Sequence, residues 1–355
     1  MSIVLLFLLS IAWATEPDPV VPMAGVGASV TFAAAGDTMM GTATRKGPKG
    51  LAAGNGEGLF TGINPWMQAA DVAFLNLEGP MGDGIPATKC GPNSSNCYAF
   101  LTPTRYVAAL KGLGVDMVSL ANNHGWDAGK PGQDQTMSTL DAAGIGHSGP
   151  PGDVSIIERN GVKIGMVAAA TSGCCLNINR IEEVTQAIRE LDAKVDIVVL
   201  SFHGGAEGSR YRHVPGKLEI AYGEKRGDVK KLARAAVDAG ADLVLGHGPH
   251  VLRAIEVYRG RLVVYSMGNF CGYNQFGTRG GYGGTSMVVE ATLAGNGVLT
   301  AARLRSVALD NLARPRPDPT GRALGQIRAL NRSDFPATGV KVAEDGTLSW
   351  DDARP

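Results

Sequence analysis

The chain is 355 residues long and 44% hydrophobic, enough for one large α/β domain or two small ones, and not the composition of a disordered chain. Lysine plus arginine and aspartate plus glutamate each total 33, so the formal charge is zero. Nothing in the bulk electrostatics draws nucleic acid or an anionic membrane, and no nucleic-acid partner is expected. The 49 glycines, about twice the usual share, predict many tight loops between strands.

In chain order, the apolar run from Ile3 to Trp13 is too short to span a bilayer. Ala12-Trp13-Ala14 before Thr15 has the small-x-small form of a cleavage site, so residues 1–14 predict a secretory signal peptide. The expected location is therefore exported: periplasmic, cell-envelope or extracellular. No Lys or Arg precedes the run, which leaves an uncleaved anchor as the alternative. Residues 15–29, with Pro17, Pro19 and Pro22, predict a linker.

Strand-like and helix-like segments then alternate. Val30 to Ala35, Val72 to Leu77, Met117 to Leu120, Val162 to Ala170, Ile197 to Phe202 and Leu243 to Leu245 predict buried strands, rich in Val, Ile, Leu and Ala. Arg105 to Leu113, Gln133 to Ala143, Ile181 to Leu191 and Val229 to Ala239 predict helices, two of them closed by Gly144 and Gly240 as C-caps. Such βα alternation specifies mostly parallel sheet. Beyond His250 the pattern changes to hairpins: Val251 to Tyr258, the turn Arg259-Gly260, Leu262 to Ser266, then Thr285 to Leu293 and Val298 to Ala308. From Ala313 a tail marked by Pro315, Pro317 and Pro319 predicts one more helix and a small strand.

Five cysteines fit an exported protein with at least one disulfide, and Cys90 and Cys97, flanking a turn-rich insert, are the favoured pair. Cys174, Cys175 and Cys271 lack the regular spacing of a soft metal site and read as buried small side chains. Lys225-Arg226 and Lys230-Lys231 read as the solvated face of a helix.

The chemistry sits at strand ends. Of only six histidines, His124, His203, His247 and His250 each follow a predicted strand, where open α/β sheets place their sites. His147 and His213 read as exposed loop residues. With Asp37, Asn76, Glu78 and Asn123, the four strand-end histidines form the ligand set of a metal centre: carboxylates to neutralise a divalent ion, amide carbonyls, and imidazoles. Taken singly, Asp37 reads as a turn residue and His203 as a core histidine; their recurrence reverses that. Asn269 is a candidate for contacting either substrate or a ligand.

Six blocks in one order carry a resemblance: Ala35-Gly36-Asp37-Thr38-Met39-Met40-Gly41, Asn76-Leu77-Glu78-Gly79, Ser119-Leu120-Ala121-Asn122-Asn123-His124 with Asp127, Ser201-Phe202-His203-Gly204-Gly205, Gly246-His247-Gly248-Pro249-His250-Val251, and Tyr265-Ser266-Met267-Gly268-Asn269-Phe270. Over roughly Val30 to Asp310 the chain resembles the CapA family of poly-γ-glutamate capsule proteins, within the calcineurin-like metallophosphatase superfamily. The resemblance implies a four-layer α/β/β/α sandwich with mixed sheets over residues 30–310, followed by an extension at 311–355. It implies one or two divalent ions (Mn, Zn or Fe) held by Asp37, Glu78, Asn123, His203, His247 and His250. His124 would protonate a leaving oxygen, with Asp127 orienting it. General metallophosphatases carry a His two residues after the Asp, where this chain has Met39; Glu78 stands in place of a bridging Asp. Two functions follow: a metal-dependent phosphoesterase or amide hydrolase of capsule or cell-envelope polymer synthesis, or a non-catalytic accessory protein. In either, the partners are an anionic envelope polymer or its precursor and a membrane capsule-synthesis complex.

Overall fold

Val30, Phe32 and Ala34 face one way and Ala33 and Ala35 the other, the two-residue period of a strand buried on both faces. The computed structural model describes residues 27–44, 50–91, 97–274 and 281–351. The signal segment, residues 1–14, and most of the linker lie outside the described residues. In chain order the elements are β1 (Ser29–Met39), α1 (Asn64–Gln68), β2 (Val72–Leu77), α2 (Val107–Leu113), β3 (Met117–Ser119), α3 (Gly129–Ala143), β4 (Gly146–Ser148), β5 (Ser155–Arg159), β6 (Val162–Ala170) and β7 (Leu176–Asn177). They continue with α4 (Ile181–Asp192), β8 (Ile197–His203), β9 (Glu219–Ala221), β10 (Glu224–Gly227), α5 (Val229–Asp238), β11 (Leu243–His247), β12 (Ile255–Tyr258), β13 (Arg261–Val264) and β14 (Asn269–Gly272). The last are β15 (Thr285–Ala294), β16 (Leu299–Leu309), β17 (Pro315–Pro317), α6 (Arg322–Asp334), β18 (Lys341–Val342) and β19 (Leu348–Ser349).

Two mixed sheets carry the fold. The first runs β17-β16-β15-β1-β2-β3-β4, with β14 also paired to β1; the second runs β12-β13-β11-β8-β6-β5, with β7 on β6. The strands β1 to β4 are mutually parallel, as are β6, β8, β11 and β13. Phe32, Val72 and Phe74 of the first sheet meet Ile164, Ile197, Val199 and Leu243 of the second in one core between the sheets. On the outer face of the first sheet Met67, Leu110 and Leu140 bring in α1, α2 and α3. On the outer face of the second, Val184, Ile188, Leu232 and Ala236 bring in α4 and α5. That is the four-layer α/β/β/α sandwich, and each large apolar side chain so buried contributes about 1.5–3 kcal/mol.

The expected hairpin joins β12 to β13. Arg259 and Gly260 take φ of 49° and 74°, the two positive values a two-residue turn of this hand requires. The C-terminal segment is built into the sandwich: β17 extends the first sheet, Ala323, Leu324 and Ile327 of α6 enter the core between the sheets, and the Asn331 side chain accepts from Ile255 N–H at 2.8 Å. The turn-rich insert is stapled as expected, Cys90 to Cys97.

His147 corrects an expectation. It is buried on β4, with Nδ1 3.0 Å from Asp153 and Nε2 3.1 Å from Asp141, because three residues of strand at the sheet edge carry it inward between two carboxylates. Hydrogen bonding to Asp153, and then to Asp141, raises its pKa against the opposing effect of burial. A folded pKa above the unfolded ~6.5 stabilises fully below that unfolded value and ceases to do so as pH rises through the folded one. His147→Gln is therefore expected to lower the urea midpoint clearly at about pH 5.5 and much less at about pH 9; an equal loss at both would contradict a charged His147. His213 matches its reading, half exposed and paired with Asp334 at 2.7 Å.

Candidate metal centre

Every ligand candidate is delivered by the carboxyl end of a strand or the turn after it. Gly36 interrupts the pairing of β1 with β2, a bulge that re-aims Asp37. A side chain cannot replace it, since a Cβ at Gly36 would stand 2.0 Å from the Gly268 carbonyl oxygen. That oxygen accepts from Asp37 N–H at 3.0 Å, which locks the bulge. On the second sheet His203 and His247 are register partners at the ends of β8 and β11. The chain then turns through Gly248, at φ 107°, where a Cβ would lie 2.9 Å from Gly204 N, and reaches His250 in the left-handed region at φ 57°. A non-glycine residue held there is strained, and strain of this kind gathers at functional sites.

Asp37 is the hub. Its Oδ1 accepts from Asn76 Nδ2 at 2.8 Å and lies 3.5 Å from His247 Nδ1 and 3.8 Å from His203 Nδ1. Its Oδ2 lies 3.0 Å from His250 Nδ1 and 3.4 Å from Gly248 N–H. Glu78 closes the group, with Oε1 3.5 Å from His250 Nε2. Asp37, Glu78 and His250 each offer a ligand atom within 4.8 Å of the others. Asn269 Oδ1 sits 2.9 Å from His250 Nδ1, and its amide donates to the carbonyls of His250 and Gly283.

The electrostatics are those of a desolvated site. Burial acts to raise Asp37, but its contacts with His247 and His250 hold the carboxyl well below the ordinary range. Burial pushes Glu78 up to about 8. Burial works against charge on His250 too, yet Glu78 and Asp37 draw it up to about 10. His203, wholly enclosed, falls well below its ordinary value by desolvation and is neutral. Both Glu78 oxygens, His203 Nε2, both His247 ring nitrogens and Asn123 Oδ1 are buried with no hydrogen-bond partner. Buried acceptors left unpaired cost about 1–3 kcal/mol each, and a bound cation would satisfy the lone pairs of the Glu78 carboxylate, Asn123 Oδ1 and one nitrogen of each imidazole.

His124 belongs to the same network at one remove. Asn122, between the two, donates to Asn76 Oδ1 at 3.1 Å and to Leu77 O at 2.9 Å, while its Oδ1 accepts from His124 N–H at 3.0 Å. The His124 ring lies tilted on Phe100 with centroids 4.3 Å apart, and its Nδ1 is 2.6 Å from Asp127 Oδ2. A carboxylate only accepts, so the shorter contact, to Asp127, places the proton on Nδ1, while Lys89 Nζ lies 3.3 Å from the same nitrogen. Burial lowers the His124 pKa, with Asp127 opposing.

Sequence reasoning passed over three residues here. Lys89, on an irregular loop without periodicity, has Nζ 3.0 Å from Asp127 Oδ1 and 2.9 Å from the Asn123 carbonyl. Asn122 was visible only as half of an Asn-Asn pair. Arg226 corrects an expectation: it lies on β10 and not on a solvated helix face, 1% exposed, and pairs with Glu207 at 2.7 Å, close enough to lower both Glu78 and His203. A buried guanidinium requires such a partner, and Glu207 comes from a different loop.

With the geometry in place, comparisons with known proteins fix the family. The family of bacterial capsule synthesis protein PGA_cap matches residues 31–274. The PGA biosynthesis protein CapA of Bacillus subtilis (strain 168) is 29% identical over 334 residues, 89% of this chain and 80% of its own. The capsule biosynthesis protein CapA of Bacillus anthracis is 26% identical over 353 residues, 94% and 80% of the two chains. The solved 5'-nucleotidase precursor of Thermus thermophilus overlaps 86% of this chain and 59% of its own at 14% identity, with a TM-score of 0.42. The family match spans more than half of the sequence and contains every strand-end residue assembled around Asp37: this chain belongs to the bacterial capsule synthesis PGA_cap family.

Proposed function

We propose that this chain is an exported, metal-dependent hydrolase acting on an anionic envelope polymer of the poly-γ-glutamate type, or on its precursor. The observation that carries this reading is the set of buried acceptor atoms around Asp37 that make no hydrogen bond, among them the Glu78 oxygens, His203 Nε2, His247 Nε2 and Asn123 Oδ1. A mixed oxygen and imidazole set fits Mn, Zn or Fe, with Asp37, Glu78, Asn123, His203, His247 and His250 as the residues that would hold the ion or pair of ions. Such an ion supplies charge stabilisation and lowers the pKa of a bound water toward neutrality.

The chain's own residues do the rest. Asp37 and Glu78 neutralise positive charge, Asn76 fixes the Asp37 carboxylate, and Asn269 fixes the His250 ring. His124 moves a proton at Nε2 while Asp127 holds Nδ1–H, and Lys89 balances the Asp127 charge.

A specific observation favours the accessory reading as the second. The last residues of β1 after Asp37 supply no further ligand: Thr38 turns its hydroxyl to the Gly36 carbonyl at 3.1 Å, and Met39 is buried in the core. A "Probable polyglutamine synthesis accessory protein" of Mycobacterium tuberculosis (strain ATCC 25618 / H37Rv) is 29% identical over 229 residues, 57% of this chain and 55% of its own. In that role the same site would hold polymer while a membrane capsule-synthesis complex makes or exports it.

The deciding experiment loads the purified full chain with Mn²⁺, Zn²⁺ or Fe²⁺ and offers it poly-γ-glutamate and a phosphodiester, bis-p-nitrophenyl phosphate. Metal-dependent product release is expected from one of them. No release from either at stoichiometric metal occupancy would overturn the hydrolase and leave the accessory role. For export, intact mass of protein from the native envelope should begin at Thr15; a retained Met1 would make the segment an anchor.

A further inference from the structure

Beyond Ala170 at the end of β6 the chain turns through Ser172 and Gly173 to two adjacent cysteines. Cys174 and Cys175 are buried with Ala121, Ala168 and Ala170 in a small cluster beneath the turn that presents Asn122, Asn123 and His124. The contact is direct. Ser172 Oγ donates to the Asn122 carbonyl at 2.8 Å and lies 3.1 Å from Cys174 Sγ, which is itself 3.9 Å from that carbonyl. The two Sγ atoms are 2.6 Å apart, about half an ångström more than the ~2.05 Å of a disulfide bond.

We infer that Cys174 and Cys175 form a reversible redox pair that closes to a vicinal disulfide, and that its state reaches Asn123 and His124 through Asn122. The oxidant is a disulfide of low molecular weight. Cys174 thiolate attacks one of its sulfurs and expels the first thiol; Cys175 sulfur then attacks Cys174 and expels the second. One S–S bond forms as another breaks, two electrons pass from the cysteines to the oxidant, and both protons leave on the released thiols.

Several features support the pair. The hydrogen bond from Cys175 holds the Cys174 thiol down at about 7, so part of it is thiolate at neutral pH, while the same contact pushes Cys175 up. Neighbouring Cα atoms stand ~3.8 Å apart across a trans peptide, closer than the ~4.4–6.8 Å of ordinary disulfides. A bridge between them is therefore the readily reduced kind, unlike a structural staple. Closure removes the Cys174 proton that faces the Asn122 carbonyl and draws its sulfur toward Cys175. Asn122 holds both Asn76, which fixes Asp37, and the His124 backbone, so the shift is transmitted in both directions. None of this depends on whether the site hydrolyses a substrate.

The test equilibrates the full-length protein in buffers of oxidised and reduced glutathione, quenches with acid, alkylates under denaturing conditions and maps the peptides. The peptide holding Cys174 and Cys175 should lose the mass of two hydrogens in the oxidising buffers and regain it in dithiothreitol under conditions that leave Cys90–Cys97 closed. Full alkylation of both thiols at every ratio would overturn the pair. Amide exchange across residues 120–128 should differ at least about threefold between the two states, a difference absent from Cys174→Ala/Cys175→Ala and from Cys175→Ser. Unchanged exchange in the wild type after closure would overturn the coupling to Asn123 and His124.

Discussion

His203→Ala combined with His250→Ala is expected to abolish binding of Mn²⁺, Zn²⁺ and Fe²⁺ by the purified protein. Substituting a residue that merely orients a ligand costs about 10–100-fold in metal affinity, so removing two imidazoles outright should cost more than about a thousandfold. Asn269→Ala provides the scale: it leaves the His250 ring in place without its 2.9 Å partner, and its loss should fall in the lower range. Titration of each metal-free variant with Mn²⁺ by calorimetry reads both effects, and elemental analysis after reconstitution reads stoichiometry. Full stoichiometry retained by the double variant would place the ion elsewhere. Circular dichroism separates loss of ligands from loss of fold, since His203 is fully enclosed and its truncation leaves a cavity in a packed region.

What the sequence makes legible here is set by how each residue is held in place. Asp37, His203 and His247 sit where a parallel strand ends, and a strand of Val, Leu and Ala declares its end with the first Gly or polar residue. The alternation of Val30, Phe32 and Ala34 against Ala33 and Ala35 likewise follows from local pattern alone. By contrast, β4 is three residues long and carries no apolar signature, so His147 reads as a loop residue until Asp141 and Asp153 are seen on either side of it. Arg226 and Lys89 owe their positions to partners supplied by other loops, which no local window contains. The helix α3 begins at Gly129, four residues before its apolar periodicity shows, because its first turn is Gly-Lys-Pro-Gly and offers no hydrophobic stripe. In α6, the spacing of Leu324, Ile327 and Leu330 shows the helix, but only the assembled sheets show what that stripe covers.

His124→Ala separates the two functional readings. For a hydrolase, removing the group that moves a proton at Nε2 should lower turnover about a hundredfold or more, measured on whichever of poly-γ-glutamate or the phosphodiester is cleaved. Metal content should stay unchanged, because His124 is hydrogen-bonded toward Asp37 only by way of Asn122 and Asn76 and stands outside the Asp37, Glu78 and His250 group. Asp127→Asn should act in the same direction, since the 2.6 Å contact that sets the ring's tautomer loses its charge while Lys89 loses its counterion. Asp37→Ala with Glu78→Ala removes the negative charge of the centre and should impair polymer production under either reading. For an accessory protein, capsule production in a strain carrying His124→Ala should match the wild type, because holding a polymer requires charge and shape but no proton transfer. Normal polymer yield with His124→Ala, together with its loss in the carboxylate double variant, would therefore refute hydrolysis and assign the centre to binding.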